Sequence, residues 1–174
     1  MIDPLITIVI ATSLAILFLL AARHKLSDPL RFEAQLAAYR LLPDVFITPI
    51  ARSLPWLEIA VAIGMLFATT RPFAGLLAAT LLTVYALAMA INIQRGRSKI
   101  DCGCGDTPQP LSPWLLLRNA ILASGALLML VPAIPRSLGV LDMLFAALFV
   151  ATFLLSYVLL EYLSRNHSLL TSKE

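Results

Sequence analysis

The sequence predicts an all-α fold: a polytopic membrane helix bundle of four to five transmembrane helices with a short interfacial helix, forming one integral membrane domain over residues 1–174. Two observations carry this. The chain is 60% hydrophobic and only 13% charged, well outside the balance of water-soluble domains. Its apolar residues also fall in runs of about 18 or more, the length a helix needs to cross a ~30 Å hydrocarbon core.

Taken in order, the spans are expected at about 4–22, 54–70, 72–93, 114–131 and 138–160. Pro4 to Ala22 carries no ionisable side chain. The Met1-Ile2-Asp3 start lacks the positive region of a cleaved signal, so this span is expected to be retained. The second span contains Glu58, the third is free of charge, the fourth has Arg118 near its start and the fifth has Asp142 near its start. Between the first two, Ser27-Asp28-Pro29 has the form of a helix start, a capping side chain followed by proline. Leu30, Ala34, Ala37 and Leu41 then recur at helical spacing, which predicts a short interfacial helix over Pro29 to Leu42, either covering the bundle end or closing a site as a lid. Pro43, Pro49 and Pro55 punctuate the stretch leading into the second span. Arg71-Pro72 and Pro132 to Arg136 read as tight reversals, making the second and third spans antiparallel neighbours, and likewise the fourth and fifth.

With five spans the connections alternate sides, and the basic residues divide unevenly between them. Arg23, Lys25, Arg31, Arg40, Arg52, Arg95, Arg97, Lys99, Arg165 and Lys173 share one side; only Arg71 and Arg136 take the other. Since short cytoplasmic loops carry the Lys/Arg excess, the amino terminus is expected outside and the 94–113 connection in the cytoplasm. The +3 net charge is dispersed, so it reads as topology and lipid contact, with the bilayer as partner and no nucleic acid.

The 94–113 connection holds both cysteines, in Asp101-Cys102-Gly103-Cys104-Gly105. A disulfide needs Cα atoms roughly 4.4–6.8 Å apart. Residues two apart in extended chain point to opposite faces, so bonding Cys102 to Cys104 requires a turn, which Gly103 and Gly105 make accessible. A loop closed by one residue adds little stability, and strained disulfides tend toward catalytic roles. Three readings stay open from these residues: a redox-active thiol pair, a soft-metal site for Cu(I) or Zn, and an incidental pair. A closed zinc site wants four ligands, and only His24 and His167 offer nitrogen; no metal ligand is assigned.

Polar residues inside spans are functional-site hypotheses by default. Alternating topology brings Lys25, Glu58, Asn92, Arg118 and Asn119 to one depth at the end of the bundle that carries Cys102 and Cys104. One reading is a polar pocket beneath the thiols, with the chemistry to hold a carbonyl compound such as a quinone; no cofactor is otherwise indicated. The other is that Lys25 and Arg118 snorkel to headgroups while Glu58 pairs with one of them.

The chain also resembles the methylamine utilisation protein MauE family, within the wider DoxX-like group of small helical membrane proteins. The likeness lies in Lys25-Leu26, Phe32, Tyr39-Arg40-Leu41-Leu42-Pro43, Pro55 with Glu58, Asp101 to Gly105, and Trp114 with Arg118-Asn119. The resemblance implies a bacterial plasma (inner) membrane protein acting in maturation of methylamine dehydrogenase. It implies Cys102 and Cys104 as the redox pair of a thiol–disulfide oxidoreductase, alongside a thioredoxin-like or disulfide-bearing partner. The rival class is a non-enzymatic assembly factor or a Cu/Zn-handling protein. That enzyme's disulfides mature in the periplasm, whereas the charge count puts the thiols in the cytoplasm.

Overall fold

A computed structural model of the chain describes residues 1–97, 100 and 111–171, and its regular structure is helical. In chain order the helices are α1 (Pro4–Ser27), α2 (Pro29–Ala38), α3 (Asp44–Leu66), α4 (Arg71–Gln94), α5 (Pro113–Leu128) and α6 (Val140–Thr171). Among the described residues, four helices are long and apolar enough to cross a membrane: α1, α3, α4 and the Val140–Leu160 part of α6. Helix α5, at 16 residues, is shorter, rising about 24 Å at 1.5 Å per residue. Hydrogen bonds from Met129, Leu130 and Val131 to carbonyls three residues back add a tight final turn.

Local chemistry explains most helix ends. The Asp3 carboxylate accepts from the Leu5 amide at 2.8 Å, and Pro4 opens α1 where its missing N–H is harmless. Asp28 does the same for α2, accepting from the Arg31 amide at 3.0 Å ahead of Pro29. Helix α2 stops at Ala38, short of the expected Leu42, because Arg40 turns to the left-handed region at φ 48°. Helix α1 continues past Ala22 to Ser27, so His24 and Lys25 form its last turn.

Helix α3 differs from the expected 54–70 span at both ends. It begins at Asp44 and runs through Pro49 and Pro55, which do not punctuate it. A proline removes one intrahelical donor, and packing against neighbouring helices tolerates that loss; Pro55 is fully buried among them. Its carboxyl end is closed from outside. The Arg71 guanidinium donates to the carbonyls of Met65 at 3.0 Å and Leu66 at 3.5 Å, and Thr70 donates to Gly64 at 2.7 Å.

Helix α1 is the central element, packed against α3, α6, α5 and α2, while α4 packs on α5 and α3. The core shared by α1, α3, α4 and α5 is rich in small side chains: Ala11, Ala15, Ala62, Ala74, Ala78, Ala79, Ala123 and Ala126 lie with Leu14, Phe18 and Met65. Small residues let helix backbones approach closely, which sustains association where lipid removes the hydrophobic drive.

The expected pairing of the last two spans as an antiparallel hairpin is not what the chain adopts. Helix α5 lies on α4, and α6 packs chiefly along α1. The connection is extended and crosses beside the amino terminus: Ile2 donates to the Pro132 carbonyl at 3.1 Å and accepts from Ile134 at 2.9 Å. Arg136 then bonds Asp3 at 3.1 Å and Asp142 at 2.8 Å. The Asp142 and Asp3 carboxylates hold its guanidinium above the usual arginine value, so it stays charged. This clasp delivers α6 to α1.

Two glycines give opposite expectations. A Cβ on Gly75 meets the Ala126 carbonyl oxygen at 2.9 Å and Met129 Cβ at 3.1 Å, at the α4–α5 contact. Gly75→Ala should lower stability by about 1–3 kcal/mol, the usual range for overpacking. A Cβ on Gly125 meets nothing closer than Ile10 Cγ2 at 3.8 Å, so Gly125→Ala should leave stability unchanged or raise it. Thermal unfolding of the purified variants in detergent checks both signs.

Candidate functional site

The helices bring Lys25 and Glu58 into direct contact. Lys25 enters from the last turn of α1 and Glu58 from α3, with Nζ and Oε1 2.6 Å apart. Both are buried; the whole of Glu58 is 0% exposed. Lys25 therefore does not snorkel. Tyr85 of α4 donates its hydroxyl to the same Oε1 at 2.8 Å. The Lys25 ammonium also lies over the rings of Phe32, 5.4 Å from the centroid, and Tyr85, 5.6 Å away, so aromatic faces complete its desolvated shell. Phe32 comes from α2, which Thr48 of α3 helps to hold by donating to Glu33.

A cavity of about 420 Å³ adjoins this pair. Leu14, Phe18, Leu81, Leu82 and Leu122 make much of its wall, α2 contributes Phe32, Gln35 and Leu36, and Tyr39 follows from the end of that helix. The short helix covers the bundle end and also lines the cavity. Arg118 and Asn119 of α5 reach the same cavity, and the Arg118 guanidinium lies over the Tyr157 ring at 5.7 Å. Glu58 Oε2 and Asn119 Nδ2 are buried here without a hydrogen-bond partner among the described residues.

Asn92, the fifth expected pocket residue, sits elsewhere. It is fully buried, donates to the Ala88 carbonyl at 3.1 Å and accepts from Arg97 at 3.4 Å, outside the cavity lining. Its backbone carbonyl also accepts from the Arg97 amide at 2.9 Å, after Gly96 turns the chain at φ +70°. Asn92 thus steers the exit from α4.

Cys102 and Cys104 lie outside the described residues, but the nearest described positions on either side do not. Ile100 and the buried Leu111 both pack into a cluster with Tyr39, Met89 and Leu115. Tyr39 and Met89 also line the cavity. Both stems of the cysteine segment therefore anchor on the cavity's own wall. Among the described residues, no group of three or more His, Cys, Asp and Glu is placed to hold a metal ion.

Sequence reasoning missed Tyr85 and Tyr157. Each had a legible signal, since a tyrosine in mid-span puts a hydroxyl where it must find a partner.

These features define a multi-pass helical membrane protein organised around a buried ion pair beside an apolar cavity. The family model described as "Methylamine utilisation protein MauE" matches residues 3–132. The chain belongs to the MauE family. The methylamine utilization protein MauE of Paracoccus denitrificans is 40% identical over 143 residues, 79% of this chain and 77% of that protein. The MauE of Methylorubrum extorquens is 39% identical over 140 residues, 78% and 75% of the two chains. That of Methylophilus methylotrophus is 37% identical over 110 residues, 63% and 58%. No solved structure matches the chain.

The ion pair makes a sharp test. Lys25→Met leaves the buried Glu58 carboxylate without its cation and should destabilise the protein by about 3–5 kcal/mol, whereas the Lys25→Met/Glu58→Gln double variant should recover much of that loss. Tyr85→Phe removes one hydrogen bond to a charged group and should cost about 1.5–3 kcal/mol. Thermal unfolding of these variants and the Glu58→Gln single variant, analysed as a double-mutant cycle, gives the coupling; additive effects of Lys25 and Glu58 would contradict the pairing.

Proposed function

We propose that the chain is a thiol–disulfide redox protein of the bacterial plasma membrane that supports maturation of a methylamine-utilisation enzyme such as methylamine dehydrogenase. Cys102 and Cys104 cycle between dithiol and disulfide, exchanging with a thioredoxin-like or disulfide-bearing partner through a mixed disulfide. Lys25, Glu58, Arg118 and Asn119 shape the pocket that serves the thiols, and Asn92 fixes the end of α4 that precedes them in sequence. The observation that supports this most is the anchoring of Ile100 and Leu111 on the cavity wall. Both residues pack with Tyr39 and Met89, which line the same cavity as Lys25 and Glu58. The names of the relatives supply the pathway.

By the distribution of basic residues, the amino terminus lies outside and the cysteine segment in the cytoplasm. The thiols then exchange electrons on the cytoplasmic face, and a membrane-soluble carrier or an alternating-access movement is required to serve a periplasmic client.

Single Cys102→Ser and Cys104→Ser variants, expressed as the full chain in native membranes and quenched with a thiol-blocking reagent, test the exchange. One single variant should trap a partner in a band that reductant dissolves, and the double variant should trap none. Active client should fall in all three. No trapped band together with normal client maturation sinks the redox reading, and stoichiometric copper or zinc held by the thiols would favour a metal-handling protein. An impermeant thiol reagent should label the cysteines only after the membrane is opened; efficient labelling of intact cells would reverse the orientation.

A further inference from the structure

We infer that the cavity beside Glu58 is a binding site for a lipid-tailed quinone; only the electron transfer to that quinone, and not its binding, rests on the redox reading. The wall is apolar, as the tail of a membrane-soluble ligand needs, and about 420 Å³ lies within the usual range for small-molecule pockets, about 300–1,000 Å³. Glu58 and Asn119 both line the cavity, and Glu58 Oε2 and Asn119 Nδ2 are buried without hydrogen-bond partners among the described residues. One is an acceptor and the other a donor. Buried polar atoms of this kind are rare enough to demand a partner, and here the two requirements are complementary.

The reduced form of a quinone meets both: one quinol hydroxyl donates to Glu58 Oε2, and the oxygen of the other accepts from Asn119 Nδ2. The oxidised form keeps the Asn119 contact, through a ring carbonyl. Tyr85 and Lys25 occupy the other carboxylate oxygen, leaving Oε2 for the ligand. A phospholipid acyl chain matches the wall but satisfies neither atom, and a fatty acid carboxylate, although Arg118 and Asn119 offer it donors, supplies none to Glu58 Oε2.

The site also supplies what the thiol pair lacks, a two-electron oxidant in the membrane. The Cys102 and Cys104 S–H bonds break and one S–S bond forms. Two electrons and two protons pass to the quinone, whose two carbonyl oxygens become hydroxyls. Electrons and atoms balance with no further reactant.

Binding is tested apart from the thiol chemistry by using the Cys102→Ser/Cys104→Ser protein, full length and in lipid nanodiscs, titrated with a ubiquinone bearing one prenyl unit. Unfolding temperature should rise saturably with quinone. Asn119→Leu should weaken the affinity about tenfold, the size of one lost hydrogen bond. Leu122→Trp, which fills the cavity from its wall, should abolish the response while remaining folded without ligand. A compound with the same tail on a dimethoxybenzene ring, lacking carbonyl and hydroxyl, should not compete. Non-saturable partitioning overturns the inference, as does equal affinity in both variants, or equal binding of the dimethoxy compound, which would mark a tail cleft alone. Absence of quinone binding with partner trapping intact would remove this site and leave the thiol exchange; the reverse result would keep the site and remove the exchange.

Discussion

Placing one ammonium and one carboxylate inside a hydrocarbon-bound bundle is the constraint around which the rest of the structure is arranged. Either charge alone is expensive there, and the pair is tolerable only with short contact and a complete shell. Four helices supply that shell: α1 brings Lys25, α3 brings Glu58, α4 brings the Tyr85 hydroxyl and α2 brings the Phe32 ring. The register of α1 against α3 and α4, and the docking of α2 over them, are tied to a single 2.6 Å contact. An apolar substitute could pack as tightly, but it would leave no carboxylate oxygen facing the cavity.

The same arrangement accounts for the division of labour among the polar residues. Lys25, Glu58, Arg118 and Asn119 converge on the cavity, whereas Asn92 is drawn to the end of α4 by the Ala88 carbonyl and Arg97. Asn92 fixes the end of α4, and Ile100 and Leu111 beyond it in sequence pack on Tyr39 and Met89 of the cavity wall.

Much of this was legible because hydrocarbon makes sequence marks loud. A glutamate and an asparagine in apolar runs, and a lysine just past the end of one, are conspicuous, and Lys25, Glu58 and Asn119 all line one cavity. The features that escaped reading have physical reasons. Pro49 and Pro55 look like breaks, since proline ends helices that water must satisfy; inside a bundle the lost hydrogen bond is tolerated and α3 runs through. The lateral order of helices was not legible either. Apolar faces of similar composition pack interchangeably on paper, and what sends α6 to α1 is a clasp of Ile2, Asp3, Arg136 and Asp142, in which backbone pairing matters as much as charge. Tyr85 was a missed inference rather than a hidden one: its hydroxyl needed a partner, and Glu58 was the charge awaiting a donor.

That clasp also has a meaning for how the protein is made. Asp3 and Arg136 are 133 positions apart, so the contact joins segments made at well-separated times during synthesis. During synthesis α1 enters the bilayer well before α6 exists, and the face of α1 that α6 will occupy has to wait beside lipid or an insertion factor. Bundle closure is therefore a late event in biogenesis, and a chain interrupted before the sixth helix would present an open seam along its central helix to the quality-control machinery of the membrane.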